Sequence, residues 1–334
     1  MFVRLLEAFL DLGLPELLGR HKGEPMTAAD IIAHLGLHPN RGWKFLHICA
    51  MSELLTEIGG ERGDDTAQYT LSPIAIKFFG DRGDPNDSYY FRELVAFWRY
   101  LDSLPMSLAE VLKGADLPIM PVWPPVTAEN AQHLEVWMTV TAQGAIDTVL
   151  ASNVMDNAPR IMDVGGGDGT IAIAIVKDAL ARGSPVPHVT VFNLQNSADL
   201  ALENIARQGF EEHVSVYVGD FLKDELPAGF DRVMYSRVLT DWTPNVCKML
   251  LQKAKNSLNL GGKIIINEAF NEGNRDYATS WEMRYVYYDT FGRYLFKPVQ
   301  TYKNIFEEIG CKVTEFHPML DSAFYSVLVA EAAP

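Results

Sequence analysis

Apolar residues recur at helical spacing from the start of the chain. Phe2, Leu5, Leu6, Phe9, Leu10 and Leu14 predict one amphipathic helix over residues 1–19. It begins almost at the first residue, as it would if a segment preceded it. Thr27-Ala28-Ala29-Asp30 has capping-box spacing, with Asp in place of Glu or Gln, and opens a short helix through Leu35. A turn at Gly36–Asn40 leads to a second helix over about 41–55. Then Leu55–Ile58, a Gly/Asp-rich turn at 59–65 and Gln68–Leu71 read as a hairpin, and Ser72-Pro73 starts a helix through about Phe79. Helix, helix and two-stranded wing form a winged-helix pattern.

Residues 84–120 read as helical, with Tyr89, Tyr90, Phe91, Phe97, Trp98 and Tyr100 along them, a run more often core than ligand-binding. Leu117–Pro125 carries four prolines, which fix φ and remove donors, so it is an extended linker or a segment crossing a pocket mouth. One long helix is expected over 128–151. From Arg160 the texture changes to short β-rich runs at 161–164, 189–193, 214–218, 232–235 and 263–267. Helical stretches at 169–181, 197–208 and 245–259 separate them. This alternation predicts an α/β doubly wound parallel sheet with helices on both faces. The runs 312–316 and 326–330 are expected to pair as an antiparallel edge.

Composition narrows the function. The chain has 334 residues, enough for two cores, and 48% of them are hydrophobic. Its formal net charge of −15 disfavours nucleic acid and anionic membrane as partners and tolerates cationic small molecules. Over residues 1–80 there are 7 Lys+Arg against 10 Asp+Glu, and the would-be recognition helix offers only Arg41 and Lys44, so the winged helix is expected to dimerise and cover substrate rather than bind DNA. Cys49, Cys247 and Cys311 fit neither a disulfide framework nor a zinc site and suit a reducing cytoplasm; no metal is expected. No apolar run is long enough to span a bilayer, and Arg4, Glu7 and Asp11 interrupt any signal-peptide pattern.

The most informative run is Ile161-Met-Asp-Val-Gly-Gly-Gly-Asp-Gly169, a strand that ends in an acid and a glycine turn before a helix. Glycines there let the backbone turn sharply and approach a ligand. A dinucleotide fingerprint would require glycine at position 170, which is Thr, and Asp163 would repel a pyrophosphate while attracting an ammonium. The next strand ends at Asn193-Leu194, where an acid usually binds ribose hydroxyls; an amide bonds a hydroxyl without charge assistance. The strand after that ends in Gly219-Asp220-Phe221, with Asp220 placed to accept from an adenine amino group and Phe221 to stack on the ring. That pair alone is a common loop sequence; three strand ends in register weigh more.

These runs, with Ser236-Arg-Val-Leu-Thr-Asp-Trp242 and Gly261-Gly-Lys-Ile-Ile-Ile-Asn-Glu268, resemble the small-molecule S-adenosylmethionine-dependent O-methyltransferases, a family of plant phenolic and bacterial antibiotic and pigment enzymes. The resemblance covers nearly the whole chain and says little about the substrate. It implies a winged-helix dimerisation and lid domain over 1–125, a class I methyltransferase domain over 126–334, and a homodimer whose N-terminal helices interlock. It implies S-adenosylmethionine held by Asp163, Gly165, Gly167, Asn193, Leu194, Asp220, Phe221 and Ser236. Met138 matches a family methionine near the reacting methyl, with a helix-core role the alternative. The run 281–288, with Trp281, Arg284, Tyr287 and Tyr288, matches the helix lining the substrate pocket; packing against the N-terminal domain is the alternative there.

The departures concern the proton. Many members carry His-Asp-Trp, whose His deprotonates the acceptor; here the triplet is Thr240-Asp241-Trp242, and threonine has no usable pKa. Glu268 matches one of two acids flanking that His, and the second falls at Phe296. Three explanations stand: an acceptor that arrives as its anion, another base (His133, Tyr287 or Tyr288), or a carbon acceptor. The bacteriochlorophyll ring methyltransferases also depart from the His, and Pro124–Glu129 and Phe296–Lys303 look similar to theirs. The expected reaction is methyl transfer to a hydroxyl, less readily a carbon, of an aromatic or pigment-like molecule, with Thr240, Asp241 and Glu268 at the reacting end. The rivals are a relative that uses the cofactor for hydroxylation or decarboxylation, and a non-catalytic winged-helix binding protein.

Overall fold

The computed structural model describes residues 2–21, 23–59, 67–79, 105–115, 127–272, 286, 296–318 and 325–332. The chain forms two compact units, Met1–Ser107 and Leu108–Pro334. The boundary expected at 125/126 lies outside the described residues, as do the turn at 60–66, the aromatic run at 84–104 and the proline-rich stretch.

In the first unit the single helix expected over residues 1–19 is two, Phe2–Asp11 and Leu14–Arg20. Gly13 adopts φ +67°, open to glycine at little cost, and Pro15 lies in the first turn of the second helix, where its missing N–H does no harm. Thr27 caps the helix Ala28–His34 by accepting the Asp30 N–H at 3.1 Å, while its hydroxyl donates to the Asp30 carboxylate at 2.6 Å. The helix Pro39–Met51 stops short of its expected end because Glu53 turns at φ +59° and the Leu54 N–H returns to Cys49 O. Strands β2 (Leu55–Ile58) and β3 (Gln68–Leu71) pair as expected, and β1 (Met26–Thr27) adds a third strand against β3. Phe9, Leu14, Ile31, Leu46 and Tyr69 form the buried centre.

The second unit is built on a seven-stranded sheet of order β6-β5-β4-β7-β8-β10-β9. Its strands are β4 (Arg160–Val164), β5 (His188–Asn193), β6 (Val214–Val218), β7 (Phe230–Ser236), β8 (Leu258–Glu268), β9 (Cys311–His317) and β10 (Ser326–Ala332). The first five are parallel, and β10 runs antiparallel between β8 and β9. Side chains of β4 alternate between two cores: Met162 and Val164 pack with Phe192, Tyr235, Leu250 and Phe306, and Ile161 with Ile173, Val176, Val191 and Met234. A sheet covered on both faces needs such continuously apolar strands. The chain winds outward from β4 through β6, then returns to β7 on the other side of β4. That reversal opens a crevice beyond the carboxyl ends of β4 and β7.

The helix expected over 128–151 is broken into Ala128–Val140 and Gln143–Ala151. The Arg237 guanidinium explains the break: it donates to Met138 O at 2.6 Å and to Thr141 Oγ1 at 2.9 Å, satisfying a carbonyl at the end of the first helix. No described helix is long and apolar enough to cross a membrane, and no metal-ligating cluster occurs among the described residues.

Replacing Thr27 with Ala removes the side-chain cap of Ala28–His34 and is expected to destabilise the first unit by about 1 kcal/mol. Denaturant unfolding of the full chain, followed by circular dichroism, measures this; an unchanged midpoint would show that the cap contributes nothing.

Candidate functional site

The crevice is lined from four strand ends and the three helices Ala128–Val140, Thr170–Arg182 and Gln195–Gln208. Asp163, Gly165, Gly167, Asn193, Leu194, Asp220, Phe221 and Ser236 all line it, as do Met138 and Asp241. Counting the open space at its mouth, the crevice spans about 1070 Å³.

Its floor is the glycine turn. Gly165, Gly167 and Gly169 adopt φ of +71°, +57° and +81°, which side chains rarely tolerate. Gly166 is required for a different reason: a Cβ there would lie 2.5 Å from Asp163 Oδ2. A Cβ at Gly167 would fall on the Glu135 carboxylate. The turn is tied to β5 by the Gly165 N–H on Phe192 O at 2.8 Å and by Asn193 Nδ2 on Gly167 O at 3.1 Å.

Asp163 is wholly buried, and neither carboxylate oxygen has a hydrogen-bond partner. Burial pushes its pKa up to about 7, with the nearby Arg237 guanidinium pulling the other way. An unpartnered buried carboxylate is costly, so it points to a ligand. Arg237 complements it. Its backbone adopts φ +58°, rare for a side chain, and its Nε is buried without a partner. Arg237 and Glu135 both line the crevice, and neither is singled out by the sequence reading. Arg237 follows a strand-end serine inside a recognised run, which was the available signal; Glu135 sits on a helix with no motif.

Asn193 spends both ends of its amide on the protein, since Oδ1 accepts the Leu194 N–H at 3.0 Å. Burial raises the Asp220 pKa, but the Lys223 ammonium at 2.8 Å and the Leu222 N–H at 2.9 Å outweigh it and hold the carboxyl below its ordinary value. Phe221 meets Trp242 edge to face at 5.8 Å between centroids. Ser236 Oγ accepts from Asn267 Nδ2 at 3.0 Å.

The Thr240 turn is a 3₁₀ helix, Leu239–Asp241, held from two sides. Glu268 Oε1 accepts the Val238 and Leu239 N–H groups, each at 2.7 Å. Lys297, 2% exposed, donates to Leu239 O at 3.0 Å and Thr240 O at 2.9 Å. Burial raises Glu268 to about 7 and depresses Lys297. Asp241 is half-buried, and desolvation, reinforced by Glu268, lifts it to about 8. Thr240 and Glu268 are buried behind this turn rather than lining the crevice. Phe296, where a second acid is expected, is buried and apolar, and its neighbour Lys297 puts a cation beside the turn instead. Trp281, Arg284, Tyr287, Tyr288 and the His133 side chain lie outside the described residues.

Comparison with known proteins agrees with this geometry. An O-methyltransferase domain model matches residues 126–311 and an O-methyltransferase dimerisation domain model matches residues 1–81. The chain is 29% identical to acetylserotonin O-methyltransferase of Bos taurus over 80% of this chain and 77% of that one. It is 26% identical to bacteriochlorophyllide d C-20 methyltransferase of Chlorobaculum tepidum over 63% of this chain and 62% of that one. Human N-acetylserotonin methyltransferase in complex with SAM shares the fold at 20% identity, with a TM-score of 0.70, over 100% of this chain and 94% of that one. The chain therefore belongs to the S-adenosylmethionine-dependent O-methyltransferase family, with a class I methyltransferase fold and its own N-terminal dimerisation domain.

Proposed function

We propose that this methyltransferase moves a methyl group from S-adenosylmethionine to a hydroxyl of an aromatic or pigment-like small molecule, acting as a homodimer through its N-terminal helices. The observation that carries the donor half is the Asp163 carboxylate, buried without a partner beside a bend that admits no side chain. The residues present fit that donor. Asp163 offers an anion to the donor's ammonium, Arg237, which lines the same crevice with its Nε unpartnered, suits its carboxylate, and Phe221 offers a ring near the end of β6. When bound, S-adenosylmethionine supplies a methyl group activated on a positively charged sulfur. The chain's task is to align donor and acceptor and to keep water out.

Asp241 is the side chain we assign to the acceptor's proton. It is the titratable group of the Thr240 turn that lines the crevice, and a pKa near 8 is matched to proton transfer near neutrality. Glu268 and Lys297 act through the backbone, fixing the turn that presents Asp241. The acceptor class rests on the aromatic residues of 281–288 and on the relatives matched, one of which methylates acetylserotonin. A carbon acceptor is the second reading. Thr240 in place of a base and the match to a C-20 methyltransferase favour it. Exposed Ile48, Met51, Ile74 and Ile76 on the matched dimerisation region support the homodimer.

Isothermal calorimetry with S-adenosylhomocysteine tests the donor half. Burial lifts the Asp163 carboxyl to about 7, and the ligand's ammonium favours its ionised form. Affinity should therefore rise about tenfold from pH 6 to pH 8. Asp163→Asn should bind at least about tenfold more weakly with a flat profile; equal affinity at both pH values in both proteins would overturn the assignment. Methyl-labelled S-adenosylmethionine incubated with a panel of phenols and porphyrins tests the reaction. Label should enter product, and cofactor turnover without label transfer would contradict it.

The clamp on the Thr240 turn has its own test. Lys297→Met leaves Glu268 and two carbonyls without their cation and should cost about 3–5 kcal/mol of stability, whereas Lys297→Arg should recover much of it. Equal denaturation midpoints for the methionine variant and wild type would remove the clamp from the account.

A further inference from the structure

Asn193 stands where a strand-end acid ordinarily receives ribose hydroxyls, and the structure shows why it is a poor substitute. Its amide nitrogen is directed to Gly167 O at 3.1 Å and its oxygen receives the Leu194 N–H at 3.0 Å. The residue is a brace between β5 and the glycine turn, and no charge remains at the strand end to face a vicinal diol.

A second carboxylate reaches the same glycine from another element. Glu135, on the helix Ala128–Val140, is 7% exposed and lines the crevice with Asn193. Its Oε2 accepts the Asp168 N–H at 3.1 Å and fills the space a Gly167 side chain would take. The Ser197 hydroxyl, in the first turn of the helix Gln195–Gln208 that follows Asn193, also hydrogen-bonds it. Gly167, Asn193 and Ser197 thus bracket Glu135 at the carboxyl end of β5. Asp163 belongs to the other side of the turn, against Gly166. The helix is fastened there by two more contacts, Thr139 Oγ1 to Asp168 Oδ2 at 2.9 Å and Met138 O to Arg237 at 2.6 Å, so Glu135 is held in place by its neighbours on one helix face.

We infer that Glu135 supplies in trans-element fashion the acid missing at position 193, accepting the donor's ribose hydroxyls with its carboxylate. This rests on the donor being S-adenosylmethionine. A carboxylate has about four acceptor sites. Two are used by Asp168 N–H and Ser197, which leaves room for a cis-diol. Desolvation already raises Glu135 to about 7, so additional hydroxyl donors would stabilise its charge.

Calorimetry with S-adenosylhomocysteine and its 2′,3′-dideoxy analogue, on wild type and Glu135→Gln, tests this. Hydrogen bonds to a charged group set the expected scale at about tenfold or more. Glu135→Gln should lose that factor for S-adenosylhomocysteine and almost nothing for the dideoxy analogue. If Glu135→Gln weakens both ligands equally, or neither, Glu135 only braces the turn and the inference is overturned. Failure of the wild-type chain to bind S-adenosylhomocysteine would instead overturn the donor reading on which it rests.

Discussion

The second unit is organised around a buried carboxylate without a hydrogen-bond partner. Asp163 lies at the end of the central strand, flanked by Val191 of β5 and Met234 of β7, with both faces of the sheet covered. A carboxylate there is costly unless something cationic reaches it. Its neighbours follow from that constraint. Gly166 cannot carry a side chain because the carboxylate occupies the space, and Gly165 and Gly167 bend the chain so that backbone, not side chains, faces the opening. Arg237 adopts a backbone conformation few side chains tolerate and places a guanidinium close enough to lower the cost without pairing directly with the acid. The crevice is arranged to leave one anion and one cation waiting for a zwitterion.

The other half of the site follows a different logic. Where the family pattern places a histidine between two acids, this chain has Thr240 with a backbone clamp behind it, the carboxylate on N–H groups and the ammonium on carbonyls. Such a clamp holds the turn but moves no proton, which shifts the chemistry to Asp241 or to the acceptor itself. The donor half is therefore conventional in kind, and the acceptor half is where this protein differs. Beside the turn, the Asn271 N–H meets Lys297 O at 3.4 Å, and Glu272 accepts the Val299 N–H at 3.1 Å at the start of the helix Val299–Glu308.

Much of the second unit was legible because a parallel sheet reports itself locally. Runs such as Ile161–Val164 and Val214–Val218 are β-branched and bounded by turns, and their carboxyl ends converge whatever the connecting helices do. That convergence is why eight residues chosen from separate strand ends line one crevice. What was not legible depends on distant partners. Periodicity runs unbroken through 128–151, and the break is set by Arg237, nearly a hundred residues away. Gly13 and Pro15 were visible in the sequence, but the apolar spacing around them masked their effect. Glu135 and Lys297 carry no motif; their roles exist only in what they touch. The family's second acid falls at Phe296, so the sequence shows a carboxylate lost there but not that the neighbouring Lys297 brings the opposite charge to the turn.

The central claim is that Asp163 is an unfilled half of an ion pair with an amino-acid-bearing donor. A crystal structure of the chain with S-adenosylhomocysteine examines it most directly. The account expects the ligand's ammonium within hydrogen-bonding distance of the Asp163 carboxylate, its thioether directed toward Met138 and Asp241. A ligand seated elsewhere, or in this crevice with its ammonium in solvent and Asp163 still without a partner, would contradict it.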